Sequence, residues 1–451
     1  MRKSTNTSND KNGEKIVQIF QKYTDNIKII QTILLDILDI NKADEGDNLS
    51  SLFNYLETNN ITENKSELKS FLHLLIQISN NYYRDPDFFT IFETIITKYQ
   101  KQITKYFTNY EIFNMFKSNK RILLFLFQNK IVIIDQYIRN ILLSKKYRDR
   151  KYPEYFFKEI KSFYNDITIN DCIDIEVFET KRKIGENDHI MCTYIIKDSV
   201  QEFISYVNRT NYLLNSIINP SIFESHVFLM DKEPSLIEYA AFYGSIQIIR
   251  YLIYNNIQMT PSIWMYAIHG KNPDVIHILE ENNIIPDNEL YFKLYIESIK
   301  CHHNDFAFYI KNNFLELKKD DEIILFKKQL KHYNFINFTA SFIMNIDYMK
   351  YIPYLCKYDY VDLFENICSI CKFDPNLLIT EKSSHIEKNE TLLSIATQKG
   401  NNEIVQILLT HFNIDINRKC IINRKTIIKD QNNLNLLFIC WSCLFCIPHM
   451  R

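Results

Sequence analysis

From Lys15 onward, apolar side chains recur at three- and four-residue steps. Ile16, Ile19, Phe20, Tyr23, Ile27, Ile30 and Leu34 form one such series, and Leu68, Phe71, Leu72, Leu75 and Ile78 form another. That period places the apolar residues on one stripe of a helix, so residues 15–166 are predicted to be helical almost throughout. Alternating apolar and polar runs bounded by turn pairs are scarce, which predicts little sheet. Pro86 and Pro153 mark two helix boundaries, because the residue before proline avoids helical geometry while proline itself suits a first helical turn. Residues 1–14 are polar and without period and are expected to be disordered. Residues 167–190 are rich in charge and read as a linker.

Beyond residue 190 the period persists but the helices shorten. Residues 235–253 read as a short helix closed on Ala240 and Ala241, a turn at Gly244, and a second apolar-striped helix running back. Two helices this short cannot bury their apolar faces alone and require stacked neighbours. Worn copies of the phrase follow. Aligned on the first small residue of the first helix and the apolar residue eight places later, Ala240 pairs with Ile248, Ala267 with Val275, Ser298 with Phe306, Leu355 with Leu363 and Ala396 with Ile404. Successive anchors are 27 (240 to 267), 31 (267 to 298), 57 (298 to 355) and 41 (355 to 396) residues apart. The 57 fits two short periods and places a degenerate repeat in residues 321–345. The 41 fits one period with a loop inserted around residues 374–389, and a weaker early copy falls at residues 194–207. The array is thereby assigned to residues 191–417, and residues 418–451 form an atypical apolar, cysteine-rich tail.

The phrase around Ala240 resembles the ankyrin repeat, whose first helix ends in a small pair before a glycine turn and an apolar second helix. The stretches SLIEYAAFYGSIQIIRYLI, WMYAIHGKNPDVIHILEENNI, ESIKCHHNDFAFYIKNN and YLCKYDYVDLFENI, with NKRILLFLFQNKIVIIDQYI nearer the N-terminus, are similar to a large ankyrin-repeat family expanded in trichomonad protists. The resemblance implies an all-α fold, an α-solenoid of helix pairs preceded by a helical N-terminal region, and a non-catalytic scaffold that binds a protein on its concave face. Contact positions carried over from the repeat are Phe242 and Tyr243, His269, Lys300, Lys357 and Tyr358, and Gln398 and Lys399. Their mixture of aromatic and basic groups suits a partner that carries acidic and apolar side chains.

Composition removes several other functions. The chain has 6 glycines in 451 residues, no two close enough to build a phosphate cradle, so nucleotide-binding loops and glycine-flanked nucleophile elbows are excluded. Lys and Arg number 53 against 54 Asp and Glu, without the basic excess that nucleic-acid binding leaves. No apolar run reaches membrane-spanning length and the first ten residues are polar, so the expected location is cytoplasmic, with no membrane contact and no small-molecule substrate.

The 10 cysteines are then expected to be reduced and mostly buried. Cys368 and Cys371 have redox spacing but lack the preceding strand that such chemistry uses. His302 and His303, next to Cys301, fall at a turn and are expected to be solvated. In the tail, Cys440, Cys443, Cys446 and His449 are too compact a run to wrap a metal, so neither metal nor cofactor is expected. The apolar strip from Leu436 to Trp441 reads as an improvised cap or, in preference, as the mark of a truncated or frame-shifted product. Two alternatives to the scaffold are an adaptor anchored to a membrane through this tail and an unrecognised enzyme in residues 15–166, where His73 is the single histidine.

Overall fold

A computed structural model describes residues 6–39, 45–82, 88–161, 174–338, 350–371, 373–382, 386–418 and 421–424. The fold is all-α and built of helical repeats, with three short strands among the described residues. Two compact units form, one from residues 1–29, 318–331 and 337–451, the other from residues 30–317 and 332–336. These units cut across the sequence-based division at 15–166 and 191–417, because the N-terminal helices and the first repeats pack into the same unit. A helix also begins at Asn6, inside the segment expected to be disordered, and continues to Asp39. Another, Ile175–Ile184, occupies the expected linker; Asp174 caps it and fully buried Arg182 binds Glu159 and Glu179 at 2.8 and 2.6 Å.

The repeat anchors mark real turns. In the second unit the first helices of successive repeats are Ile190–Ile196, Leu236–Tyr243, Ile263–Gly270 and Asn288–Lys300. Each is followed by a residue in the left-handed region: Asp198, Gly244, Lys271 and His302, at φ 48°, 69°, 49° and 59°. Past that residue the main-chain N–H returns to the anchor carbonyl, from Ser199 to Tyr194, Ser245 to Ala240 and His303 to Ser298, at 2.9 to 3.0 Å. This six-to-one bond satisfies a carbonyl that a helix end otherwise leaves without a partner. In the first unit, helices Ile352–Lys357 and Leu392–Lys399 end the same way at Asp359 and Gly400, with Tyr360 and Asn401 bonding to the anchors Leu355 and Ala396. Between the two groups, helix Lys319–His332 ends at left-handed Tyr333, which is 31 residues after His302 and 26 before Asp359. Most of that helix and its turn fall within the span expected to hold a degenerate repeat, whose residues 339–345 lie outside the described residues.

The residue after each left-handed position also joins its repeat to the one before. Ser245 Oγ donates to the Ile195 carbonyl at 2.6 Å, His303 Nδ1 meets the Ile268 carbonyl at 2.7 Å, and Asn334 Nδ2 donates to Ile299 at 2.8 Å. In the first unit Tyr360 Oη donates to Leu330 and Asn401 Nδ2 to Cys356, both at 2.6 Å. In each case the acceptor stands three residues before the left-handed residue of the preceding repeat. Asn272 departs from this rule by three positions, bonding the carbonyl of the left-handed residue Gly244 itself at 3.1 Å.

Gly270 explains its own offset. A Cβ there would lie 2.6 Å from the Ala241 carbonyl oxygen and 3.1 Å from that of Phe242, so glycine permits close approach of two helices while Lys271 makes the turn. The loop expected at 374–389 is a hairpin, Ile379–Lys382 with Ile386–Glu390, extended by Ile421–Arg424 in an antiparallel sheet; Ile379 pairs with Glu390 and Asn389 with Ile421. The tail residues Cys440, Cys443, Cys446 and His449 and the 436–441 strip lie outside the described residues.

Candidate functional site

In the second unit, the sequence-predicted contact positions are covered by the chain itself. Phe242 is 5% exposed and its ring stacks on Phe228 at 5.9 Å, with His226 and His269 at 4.8 and 5.3 Å. His269 is 1% exposed, and the Phe228 ring centroid lies 4.2 Å from its own. Tyr243 is half-buried against Tyr239. Half-buried Lys300 places its ammonium 5.8 Å over Phe228 and 2.7 Å from Glu297 Oε1. The segment 223–230 thus crosses the ends of three first helices. Phe223, Phe228, Leu229 and Met230 are buried there, an arrangement that removes several large apolar surfaces from water at roughly 2 kcal/mol each. Phe242 and His269 are consequently internal packing residues, contrary to their assignment to an open face.

Polar contacts hold the segment down. Buried Lys120 donates to the carbonyls of Ile222 and Glu224 at 3.2 and 3.0 Å, and Ser225 bonds the Gly185 carbonyl through both its N–H and its hydroxyl, at 3.0 and 2.7 Å. Burial drives the Lys120 amine down to about 7, although Glu224 and Glu154 favour its charge.

The turn tips of the same unit are covered as well. Gln31, fully buried on helix Asn6–Asp39, bonds His302 Nδ1 at 2.8 Å and Asn334 Oδ1 at 2.9 Å and accepts from the Phe335 N–H at 3.3 Å. From helix Lys65–Asn81 and its cap, Gln77 meets His332 at 3.1 Å, His73 stacks on Tyr333 at 5.4 Å, and Tyr82 meets the edge of His303 at 5.1 Å. Lys271 closes the contact by binding both Asp39 and Tyr82. His302 and His303 are each 2% exposed, so the expectation of a solvated turn fails. Burial disfavours their charged forms, pushing His302 down to about 3 and His303 well below its ordinary value.

Four of these side chains form a buried polar cluster that their sequence separation conceals. His269 Nε2 is 2.9 Å from Glu297 Oε1, and Cys301 Sγ lies 3.4 Å from His269 Nδ1 and 3.7 Å from Nε2. Burial lowers His269 and raises the Cys301 thiol; burial also opposes ionisation of Glu297, but the His269 hydrogen bond and Lys300 ammonium hold it well below the usual carboxylate range. Glu297 and Lys300 are therefore the charged pair, with His269 neutral.

The first unit presents the remaining predicted residues together. Gln398 and Lys399 are exposed at the end of helix Leu392–Lys399, and Lys357 and Tyr358 are half-exposed at the end of Ile352–Lys357. Lys357, Gln398 and Lys399 line one recess of about 80 Å³ with Pro353, Ile379, Glu390 and Ile395. Gln398 Nε2 donates to Glu390 Oε1 at 2.6 Å and Ser394 Oγ at 3.0 Å, which fixes the amide on one wall. Beside it Tyr354 stacks on Tyr358 at 6.3 Å, with the Lys327 and Lys357 ammonium groups 4.5 and 6.0 Å from its ring. Cys368 and Cys371 are buried at the end of helix Val361–Ile370, where burial pushes their thiols up to about 12 and about 11, the reverse of an activated pair.

In comparison with known proteins, residues 388–421 match the ankyrin repeat family. That stretch contains the exposed pair Gln398 and Lys399 and the helices Leu392–Lys399 and Asn402–His411. No curated protein and no solved structure matches the chain. Among the described residues no helix is long and apolar enough to cross a membrane.

Proposed function

We propose that the chain is a non-catalytic, cytoplasmic protein-interaction module that engages its partner at the recess between helices Ile352–Lys357 and Leu392–Lys399. The observation carrying this is the convergence of Lys357, Gln398 and Lys399 on one recess, within and beside the stretch that matches the ankyrin repeat. Ankyrin repeats are commonly protein-binding elements. The likeness of several phrases to the trichomonad repeat family agrees with such a role and names no partner.

The recess also defines the partner's chemistry. Pro353, Ile379 and Ile395 give it apolar walls, and Lys357 and Lys399 give it two ammonium groups. A peptide segment that presents an apolar side chain next to a carboxylate satisfies both. Selection from a random peptide display library on the full chain should enrich acidic-apolar sequences. A Lys357→Glu, Lys399→Glu double variant should lose that enrichment, whereas Phe242→Ala, a change inside the packing of the other unit, should keep it once folding is verified. Equal enrichment by wild type and the charge-reversed variant would refute this location.

A further inference from the structure

Three donor atoms of different chemistry meet inside the second unit. His269 stands at the end of helix Ile263–Gly270, while Glu297 and Cys301 stand four residues apart at the end of helix Asn288–Lys300, so both point from the same helix face. The imidazole nitrogen, carboxylate oxygen and sulfur all lie within 4.8 Å of one another, and the three residues are 1%, 8% and 0% exposed. Ligands held at about 2.0 to 2.3 Å from one zinc ion are themselves about 3 to 4 Å apart. The trio therefore needs only side-chain adjustment to close on a single ion.

We propose that His269, Glu297 and Cys301 bind one divalent cation of the zinc class through the imidazole, one carboxylate oxygen and the thiolate. A mixed N, O and S set of this kind favours zinc over magnesium or calcium, which take oxygen ligands. On binding, the Cys301 S–H bond breaks, an S–metal bond forms and the proton leaves to solvent; no electron changes hands. In the ion-free site the single N–H of neutral His269 faces Glu297 from Nε2; on binding, that proton shifts to Nδ1 and frees the Nε2 lone pair for the ion.

Lys300 is the competitor. Its ammonium lies 2.7 Å from Glu297 Oε1 and already neutralises that carboxylate. An incoming ion must share Glu297 with Lys300 and displace the His269 hydrogen bond. Phe228 and Phe242 cover the imidazole, so loading requires segment 223–230 to lift and is fastest during refolding.

The test uses full-length protein stripped with chelator and refolded with Co²⁺, which reports thiolate ligation by a charge-transfer absorption band. One Co²⁺ per chain is expected, displaced by Zn²⁺. Cys301→Ser should abolish the band, His269→Gln should weaken binding at least tenfold, and Lys300→Met, which removes the competing ammonium, should tighten it several-fold. Should a variant fail to fold, wild-type protein decides alone: one equivalent of Zn²⁺ should slow alkylation of Cys301 at least tenfold in mild denaturant while leaving Cys356 unchanged. Absence of a stoichiometric band, a band that survives Cys301→Ser, or equal alkylation of Cys301 with and without Zn²⁺ would overturn the site.

Discussion

Gln31→Leu exchanges an amide for an apolar group of similar size at a fully buried position and strands three polar groups in one step. His302 Nδ1 loses its 2.8 Å donor, Asn334 Oδ1 loses a 2.9 Å donor, and the Phe335 N–H loses its 3.3 Å acceptor. Each buried group left without a partner costs about 1–3 kcal/mol, and the added apolar burial returns about 1–2 kcal/mol in all. Three such groups total about 3–9 kcal/mol, so the expected net loss is about 1–8 kcal/mol, against the 5–15 kcal/mol typical of a folded domain. Urea unfolding measures the total. Hydrogen exchange places it, because the Phe335 amide should exchange at least tenfold faster while the Asn401 amide, bonded to Ala396 in the other unit, should not change. Asn334 keeps its bonds to Ile299 and Asn304 at 2.8 and 3.0 Å, so the turn itself should survive. A loss below about 1 kcal/mol with an unaltered Phe335 amide would refute the claim that Gln31 seats the N-terminal helix on the repeat turns.

Two further perturbations test separate parts of the fold. Native Lys120 titrates near 7 because of burial, against an ordinary value of 10.5, so between these values the unfolded chain binds a proton that the native chain refuses. Stability should rise as pH climbs from about 7 to about 10.5, by at most on the order of 4–5 kcal/mol, and Lys120→Met should flatten this slope in pH-dependent urea titrations. Gly270→Ala forces a methyl group against two carbonyl oxygens and should cost about 1–3 kcal/mol. By contrast Gly13→Ala, with open space around it in helix Asn6–Asp39, should stabilise by about 0.5–1 kcal/mol; calorimetric melts of both variants check the pair.

The parts legible in the chain were those set by local pattern. Anchors at Ala240, Ser298, Leu355 and Ala396 could be found because each small or apolar residue stands four positions before a left-handed turn, whereas Gln329, at the same offset from Tyr333, carries no such signal. Periodicity reports that a face is buried but not what buries it. Phe242 carried the same pattern whether a partner or Phe228 lay against it, and nothing local ties residue 31 to residues 302 and 334. His269, Glu297 and Cys301 were hidden for the same reason, being 28 and 32 positions apart in pairs that only stacking brings together. The hairpin at 379–390 escaped notice because short strands carry few residues in which alternation can show.

The side-chain bonds that tie each turn to the preceding repeat separate what can vary from what cannot. The left-handed residues that close the first helices of successive repeats are from 26 (333 to 359) to 46 (198 to 244) positions apart, yet the bonds themselves stay between 2.6 and 3.1 Å. Serine, asparagine, histidine and tyrosine all serve as the donor. Length is thus absorbed in connections away from the turns, as in the 212–235 segment or the hairpin before Thr391, and the turns act as fixed joints. Insertions and deletions can accumulate in such a chain for as long as each joint retains a side chain able to reach one particular carbonyl.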